Sequence, residues 1–160
     1  MWEAVCGNAA EANENATAAA TFTYGPVRRA LSALEHEKPT DCVERLHIAR
    51  PYELAVNGLN FVHFYLGGLH SAYVRGKALV AAHRYREAVV EFQTILGHRG
   101  IVGADPIGAL AHVQLGRAFA LSGDLAKSKA AYQNFLTLWK DADPDIPILT
   151  EAKAEHAKLL

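Results

Sequence analysis

The stretch that decides the fold is LGRAFALSGDLAKSKAAYQNFL, residues 115–136. Its apolar residues recur at helical spacing on both sides of Ser122-Gly123-Asp124, and this tripeptide has the composition of a tight turn. The stretch therefore predicts two helices that fold back on each other. The first helix carries a small residue, Gly116, and the second carries a large one, Tyr132.

The same pattern of residue sizes occurs at two earlier places in the chain. Small residues stand at Ala30, Gly76 and Gly116, separated by 46 and 40 residues. A turn, a second small residue and a large residue follow each of them at matching offsets. The turns are Glu37-Lys38-Pro39, His83-Arg84-Tyr85 and Gly123-Asp124-Leu125, the small residues are Cys42, Ala88 and Ser128, and the large residues are Leu46, Phe92 and Tyr132. Such a period indicates a stacked helical array, because one unit cannot bury its apolar face alone.

These residues resemble the tetratricopeptide repeat, a helix–turn–helix unit of about 34 residues. The last unit matches through Leu115-Gly116, Phe119, Gly123-Asp124-Leu125, Ala131-Tyr132 and Phe135-Leu136, and the middle unit through Gly76, Leu79, Tyr85, Ala88, Phe92 and Ile95-Leu96. The resemblance implies an all-α fold, a right-handed superhelical array of antiparallel helix pairs with about three units and a C-terminal capping helix. Because both spacings exceed the ideal period, we expect insertions between the units.

The sequence predicts a single helical domain over residues 1–160. Its parts are a partial unit at 1–22, a degenerate unit at 24–50, an irregular insertion at 51–68, a unit at 69–97, a loop at 98–105, a unit at 106–140 and a capping helix at 147–160. Arg50-Pro51 should end the degenerate unit, since the residue before proline avoids helical geometry. Asp105-Pro106 should start the next helix. The aromatic segment Phe61–Leu66 is compatible with a short helix or an extended segment.

Composition and charge exclude several classes of function. A net charge of −1 and a hydrophobic content of 51% suit one soluble domain. We expect no nucleic-acid partner, because phosphate binding needs clustered lysines and arginines. We expect no membrane span, because no apolar run reaches about 20 residues. The cytoplasm is the default location, and an extracytoplasmic location stays open for a parent protein with an upstream membrane segment.

No group of residues has the spacing that catalysis or metal binding requires. His83-Arg84-Tyr85 has tyrosine where a kinase catalytic loop has aspartate, and Arg75–Ala78 lacks the glycine spacing of a phosphate loop. The eight histidines contain no pair four residues apart with an acid between them. Cys42 occupies a small-residue position and should be buried. We therefore expect no enzyme activity, no cofactor and no metal.

Binding is the function that these exclusions leave. The first helix of each stacked pair should line a concave face, and helical phase selects the residues that point there. They are Tyr24, Val27 and Leu31 in the degenerate unit, His70, Tyr73 and Lys77 in the next unit, and Val113 and Arg117 in the last. Basic groups beside aromatic ones suit a peptide with an acidic side chain or a C-terminal carboxylate. We expect a non-catalytic scaffold or sensor module that binds a protein or peptide partner.

Other interpretations stay open beside this one. Lys77 and Arg117 would then only solvate a helix face, and Tyr73 would only pack. The loop Gly97–Gly100 is a second candidate contact, although its glycines are explained by turn geometry. The chain could instead form a homodimer through Trp2, the segment Phe61–Leu66 or Trp139, and an enzyme without a recognised motif is a further alternative.

A narrower resemblance covers residues 24–160. This part of the chain is similar to the C-terminal sensor half of certain bacterial proteins. In those proteins a eukaryotic-like serine/threonine kinase, or a winged-helix DNA-binding domain, precedes tetratricopeptide repeats. The stretches that carry it are Pro51–Leu54, Ala72–Gly76, His98–Val102, Asp105–Ala111 and Trp139–Leu149. The resemblance implies the non-catalytic part of a bacterial signalling protein.

Overall fold

The structure is a computed structural model, and it describes residues 27, 30, 38–54 and 69–159. These residues form seven α-helices and one 3-10 helix, without a β-strand. In chain order they are α1 Pro39–Arg45, the 3-10 helix Leu46–Tyr52, α2 His70–Ala81, α3 Tyr85–Gly97, α4 Arg99–Val102, α5 Ile107–Leu121, α6 Leu125–Leu138 and α7 Pro147–Ala157. The prediction of an all-α fold is confirmed for the described residues. No helix among them combines the length and the apolarity needed to cross a membrane.

Two helix pairs, α2 with α3 and α5 with α6, form the centre of the structure. A short turn joins the two helices of each pair, so they run antiparallel. Helix α3 also packs against α5 and thereby joins the pairs. At the ends, α1 packs against α2, and α7 packs against α6. The helices therefore follow one another in space in the order in which they occur in the chain.

The two turns have the same backbone geometry. His83 has a φ of 58° and Gly123 a φ of 88°, both in the left-handed region. The next amide in each turn donates back into the preceding helix, from Arg84 to the Leu79 carbonyl at 2.8 Å and from Asp124 to the Phe119 carbonyl at 2.9 Å. This arrangement satisfies carbonyls that a helix end leaves free. The repeat that is visible in the sequence therefore extends to the turn conformation.

A glycine in the first helix of each pair lies directly under an aromatic ring of the second. A Cβ atom at Gly76 would lie 2.5 Å from Cε1 of Phe92, and one at Gly116 would lie 2.8 Å from Cε2 of Tyr132. Both aromatic residues are buried, since Phe92 is 0% exposed and Tyr132 is 2% exposed. The small and large residues of the sequence pattern are therefore contact partners that set the distance between paired helices.

We expect Gly76→Ala to lower the free energy of unfolding by about 1–2 kcal/mol, because overpacking a tight core contact outweighs the better helix propensity of alanine. Gly97→Ala is the matched control, since no atom lies within 4 Å of a Cβ placed there. Urea denaturation of both variants checks this prediction. Equal stability of Gly76→Ala and the wild type would contradict the contact.

The core consists of two clusters that share α5 and α6. The large core cluster joins residues of α1 to α5, the 3-10 helix and Ala131 of α6, and it includes Leu46, Leu79 and Phe92. The C-terminal cluster joins α5, α6 and α7 and consists of Val113, Tyr132, Phe135, Leu149 and Ala152. Helix α5 is consequently buried on both sides, with most of its residues inaccessible. Both helices of the stretch 115–136, α5 and α6, therefore contribute to both clusters.

Several predicted boundaries differ from the structure. The 3-10 helix runs through Pro51 to Tyr52, so Arg50-Pro51 does not end this element. Proline is tolerated there because its fixed φ matches 3-10 geometry. The predicted loop 98–105 contains the short helix α4. Residues 1–22, the insertion beyond Leu54 and most of the first helix of the degenerate unit lie outside the described residues.

Candidate partner-binding face

Side chains from three helices that are distant in sequence meet on one side of the molecule. We call this surface the α2–α5–α7 face and define it by His70, Tyr73, Lys77, Gln114, Arg117, Glu151 and Glu155. Its position follows from the packing of α2 against α5 and from ion pairs between α5 and α7. Residues spaced three or four apart share a side of a helix, which explains why these positions point the same way.

Arg117 on α5 is held by two carboxylates of α7. Its Nε donates to Oε2 of Glu155 at 2.9 Å, and its Nη2 donates to Oε1 of the same residue at 2.8 Å. Nη2 also donates to Oε2 of Glu151 at 3.0 Å. The hydrogen bonds to Glu155 raise the pKa of the guanidinium above its usual value. Arg117 therefore joins α5 to α7 and is already neutralised within the chain.

Glu155 also accepts a hydrogen bond from Tyr132 of α6, at 2.7 Å to the phenol oxygen. Burial of this carboxylate would raise its pKa, but the hydrogen bonds from Arg117 and Tyr132 lower it below the usual value. Burial raises the pKa of the Tyr132 hydroxyl, and the adjacent Glu155 adds to this effect. Glu155 is therefore an ionised structural partner, whereas Glu151, with a side chain 57% exposed, faces solvent.

Tyr73 and Lys77 form the α2 part of the face. Tyr73 is half-buried, and its ring packs edge-on against Phe92 with centroids 6.1 Å apart. Burial raises the pKa of the Tyr73 hydroxyl, whereas a hydrogen bond with Gln114 and the charge of Arg117 lower it. Gln114 and Arg117 of α5 therefore lie beside the Tyr73 hydroxyl. Lys77 is exposed and forms no ion pair with any described residue. Tyr73 thus packs and contributes to the face, and Lys77 supplies an available positive charge.

His70 lies at the first position of α2 and contacts Asp105, with 3.0 Å between Nε2 and Oδ2. The other carboxylate oxygen of Asp105 accepts a hydrogen bond from the Ile107 amide at 3.0 Å. The N-cap of α5 is Pro106, one residue later than the sequence predicted, and Asp105 precedes it and binds the Ile107 amide with its side chain. Asp105 also contacts the start of α2 through His70. The Nε2 atom of His70 therefore already has a partner within the chain, while 39% of the side chain is exposed.

The structure does not bring all eight predicted residues to the surface. Val113 is 0% exposed and packs in the C-terminal cluster, because α7 covers that side of α5. Val27 is half-buried against the large core cluster. Tyr24 and Leu31 lie outside the described residues. The described part of the predicted face is thus His70, Tyr73, Lys77 and Arg117.

Sequence reasoning missed three members of the face: Gln114, Glu151 and Glu155. Gln114 directly follows Val113 and is itself 8% exposed, so it contributes to the face through its contact with Tyr73 and not through accessibility. For the two glutamates the sequence predicted only a place in the capping helix at 147–160. Their spacing of four residues on α7 was a usable signal, since such residues share a side of the helix.

A second polar cluster is buried and has the features of a structural network. Arg75 is 1% exposed and donates to Oε1 and Oε2 of Glu53 at 2.7 and 3.0 Å and to Oε2 of Glu91 at 2.6 Å. Arg50 contacts the second oxygen of Glu91 at 2.6 Å, and Ser71 donates to Glu53 at 2.7 Å. Burial opposes the charge of Arg75, but the hydrogen bonds to the two glutamates raise the pKa of its guanidinium. The network ties the residues after the 3-10 helix to α2 and α3.

The remaining candidates from the sequence have structural explanations. Burial raises the pKa of the Cys42 thiol, which keeps it protonated and weakly nucleophilic at neutral pH. The glycines of the segment Gly97–Gly100 do not serve a left-handed turn, because the glycine with positive φ in this region is Gly103. Trp139 is half-buried and packs against Phe135 with ring centroids 4.9 Å apart. Trp2 and Phe61–Leu66 lie outside the described residues.

No group of three or more potential metal ligands occurs within residues 38–54 and 69–159. The polar residues of the α2–α5–α7 face are a tyrosine, a buried amide and charged groups, of which Lys77 and Glu151 are exposed. Such groups suit recognition of a polar chain by hydrogen bonds and ion pairs. No protein-family model matches this chain, and no curated protein matches it.

Proposed function

We propose that this chain is a tetratricopeptide-like array that acts as a non-catalytic protein–protein interaction module. The equivalent contacts of Gly76 with Phe92 and of Gly116 with Tyr132 support a repeated helix-pair unit. The shared geometry of the two turns supports it further. In the proposed array the pairs continue into a right-handed superhelix, with α7 as the capping helix and the first helices of the pairs on the concave side.

We assign partner binding to the α2–α5–α7 face. The observation that carries this assignment is the convergence of Tyr73, Lys77 and Arg117 from two helices on one accessible surface. Lys77 is the best primary contact, since it is exposed and has no ion-pair partner among the described residues. A lysine can donate charge-assisted hydrogen bonds to an acidic side chain or a C-terminal carboxylate of a peptide. The resemblance to bacterial sensor halves places the module, in our proposal, within a signalling protein.

We expect Lys77→Glu to reduce the amount of partner retained from a source-cell lysate by about tenfold, because charge reversal replaces attraction by repulsion at the contact. Lys153→Glu is the matched control. Lys153 is equally exposed, but it lies two residues from both Glu151 and Glu155 and so on another side of α7. Quantitative mass spectrometry of the retained proteins measures the effect, and circular dichroism checks the fold of both variants.

Arg117 is unsuitable for the same test. Reversing its charge would place a third carboxylate beside Glu151 and Glu155 and separate α7 from α5. A loss of binding would then have a structural cause. If the two lysine variants retain the same partner equally, the assigned face is wrong. If no partner is retained and the mass from light scattering rises with concentration, the chain is instead a self-association module.

A further inference from the structure

The α2–α5–α7 face carries opposite charges at its two sides. On α2, the accessible charge is the ammonium of Lys77. Between α5 and α7, one guanidinium, that of Arg117, faces two carboxylates, those of Glu151 and Glu155. The formal charge of this second group is −1. The face is therefore positive along α2, and Glu151 supplies an accessible negative charge on α7, with Lys158 near Glu155 as a cation just after the end of that helix.

The excess negative charge is located on Glu151. Glu155 uses both of its oxygens, since they accept hydrogen bonds from Arg117 and Tyr132. Glu151 engages only Oε2 with Arg117, at 3.0 Å, and its side chain is 57% exposed. Its other oxygen accepts no hydrogen bond from a described residue. This carboxylate therefore has both the room and a free acceptor for a cationic group of a partner.

The contact of Glu151 with Arg117 also restrains its side chain. Arg117 is only 26% exposed at its side chain and is oriented by Glu155, so Glu151 is held by a group that cannot move freely. A carboxylate that is already positioned loses less conformational entropy on binding than a mobile one. Lysine and arginine are the residues that bind a carboxylate through charge-assisted hydrogen bonds.

We propose that Glu151 forms a second subsite of the α2–α5–α7 face and that the partner is a peptide segment with two opposite charges. Its acidic group contacts Lys77, and its lysine or arginine contacts Glu151. This inference rests on the proposed function, because it divides the same face into two subsites. It also orients the segment, with its acidic part on α2 and its basic part on α7.

The test is selection from a randomised peptide display library on the immobilised full chain. We expect the peptides enriched by the wild type to contain both an acidic and a basic residue at a recurrent separation. Glu151→Gln should remove the enrichment of basic residues and leave that of acidic residues, and Lys77→Gln should do the reverse. For one synthetic peptide from the wild-type selection, each variant should raise Kd about two- to fivefold, the range of exposed ion pairs.

Two controls isolate the subsites from general charge effects. Lys153→Gln is matched to Lys77→Gln, and Glu44→Gln, at an exposed position of α1, is matched to Glu151→Gln. Glu151→Gln should retain the fold because Glu155 continues to hold Arg117. Circular dichroism and urea denaturation check this. Raising the salt concentration should weaken the binding of the selected peptide to the wild type more than its binding to Glu151→Gln or Lys77→Gln.

The outcomes separate this inference from the function on which it rests. Enrichment of acidic residues alone, or basic enrichment that survives in Glu151→Gln, overturns the second subsite and leaves the proposed function standing. If acidic residues are enriched equally in peptides selected by Lys77→Gln and by the wild type, the assigned face is wrong. Absence of any enrichment above the input library overturns both.

Discussion

Replacing Arg75 by alanine is expected to lower the free energy of unfolding by about 3–5 kcal/mol, the range for removing one partner of a buried ion pair. The side chains of Glu53 and Glu91 are 9% and 7% exposed and lie within 3.0 Å of the guanidinium. Without Arg75, Glu53 would be a buried carboxylate with only Ser71 as a hydrogen-bond partner among the described residues. Urea denaturation measures the loss.

Arg86→Ala is the matched control for this variant. Arg86 is an exposed arginine on α3 that forms no ion pair with a described residue, so its replacement should change stability by less than about 0.5 kcal/mol. If Arg75→Ala behaves like the control, the buried network contributes nothing to folding. Arg75→Lys should restore part of the stability at most, since an ammonium cannot reproduce the two-sided contact of the guanidinium.

Phe92→Ala is expected to lower the free energy of unfolding by about 3–5 kcal/mol through loss of buried surface and formation of a cavity. Phe92 is 0% exposed and packs between Gly76 and the ring of Tyr73. Val90→Ala on the same helix is the control, because Val90 is 59% exposed and should contribute less than about 0.5 kcal/mol.

The double variant Gly76→Ala/Phe92→Ala tests the contact itself. If the cost of Gly76→Ala comes from the Phe92 ring, it should disappear when the ring is absent, so the two effects should not add. Full additivity in urea denaturation would assign the cost of Gly76→Ala to some other cause. The pair then would not set the distance between α2 and α3.

The helix pairs could be predicted from the sequence because their contacts have a simple local signature. Gly76 and Phe92 have complementary sizes, and the same order of a small and a large residue recurs at Gly116 and Tyr132, so the repeat indicates the contact. The turn at Gly123 was equally readable, since glycine has the conformational freedom that a left-handed position requires, whereas the other turn places His83 in the same conformation without such a signal. What repeats in the sequence is therefore what packs within each unit.

The buried network could not be predicted in this way. Its members Glu53 and Glu91 lie 22 and 16 residues from Arg75. A charged residue in a helix gives no local sign that it will be buried. Its role depends on contacts between elements that no residue pattern relates to each other.

The candidate site was predictable only in part for a related reason. Helical phase selected Tyr73, Lys77 and Arg117, but it cannot show which neighbouring helix covers which side. Side chains of α6 and α7 cluster around Val113 and bury it, and Glu155 of α7 compensates the charge of Arg117. The charge balance of the face is thus a property of the packed helices and could not be derived from α5 alone.

The division of the core into two clusters has a consequence for the dynamics of the C-terminal end. If α7 separated from its neighbours, Leu149 and Ala152 and the residues they contact in the C-terminal cluster would become exposed. The large core cluster would stay covered, because it contains no residue of α7. The C-terminal end can therefore open as a unit of its own, at a lower free energy than global unfolding. The Arg117–Glu155 ion pair lies across that opening. A ligand that spans α2 and α7 would hold the unit closed, so occupancy would appear as slower amide hydrogen exchange in α7.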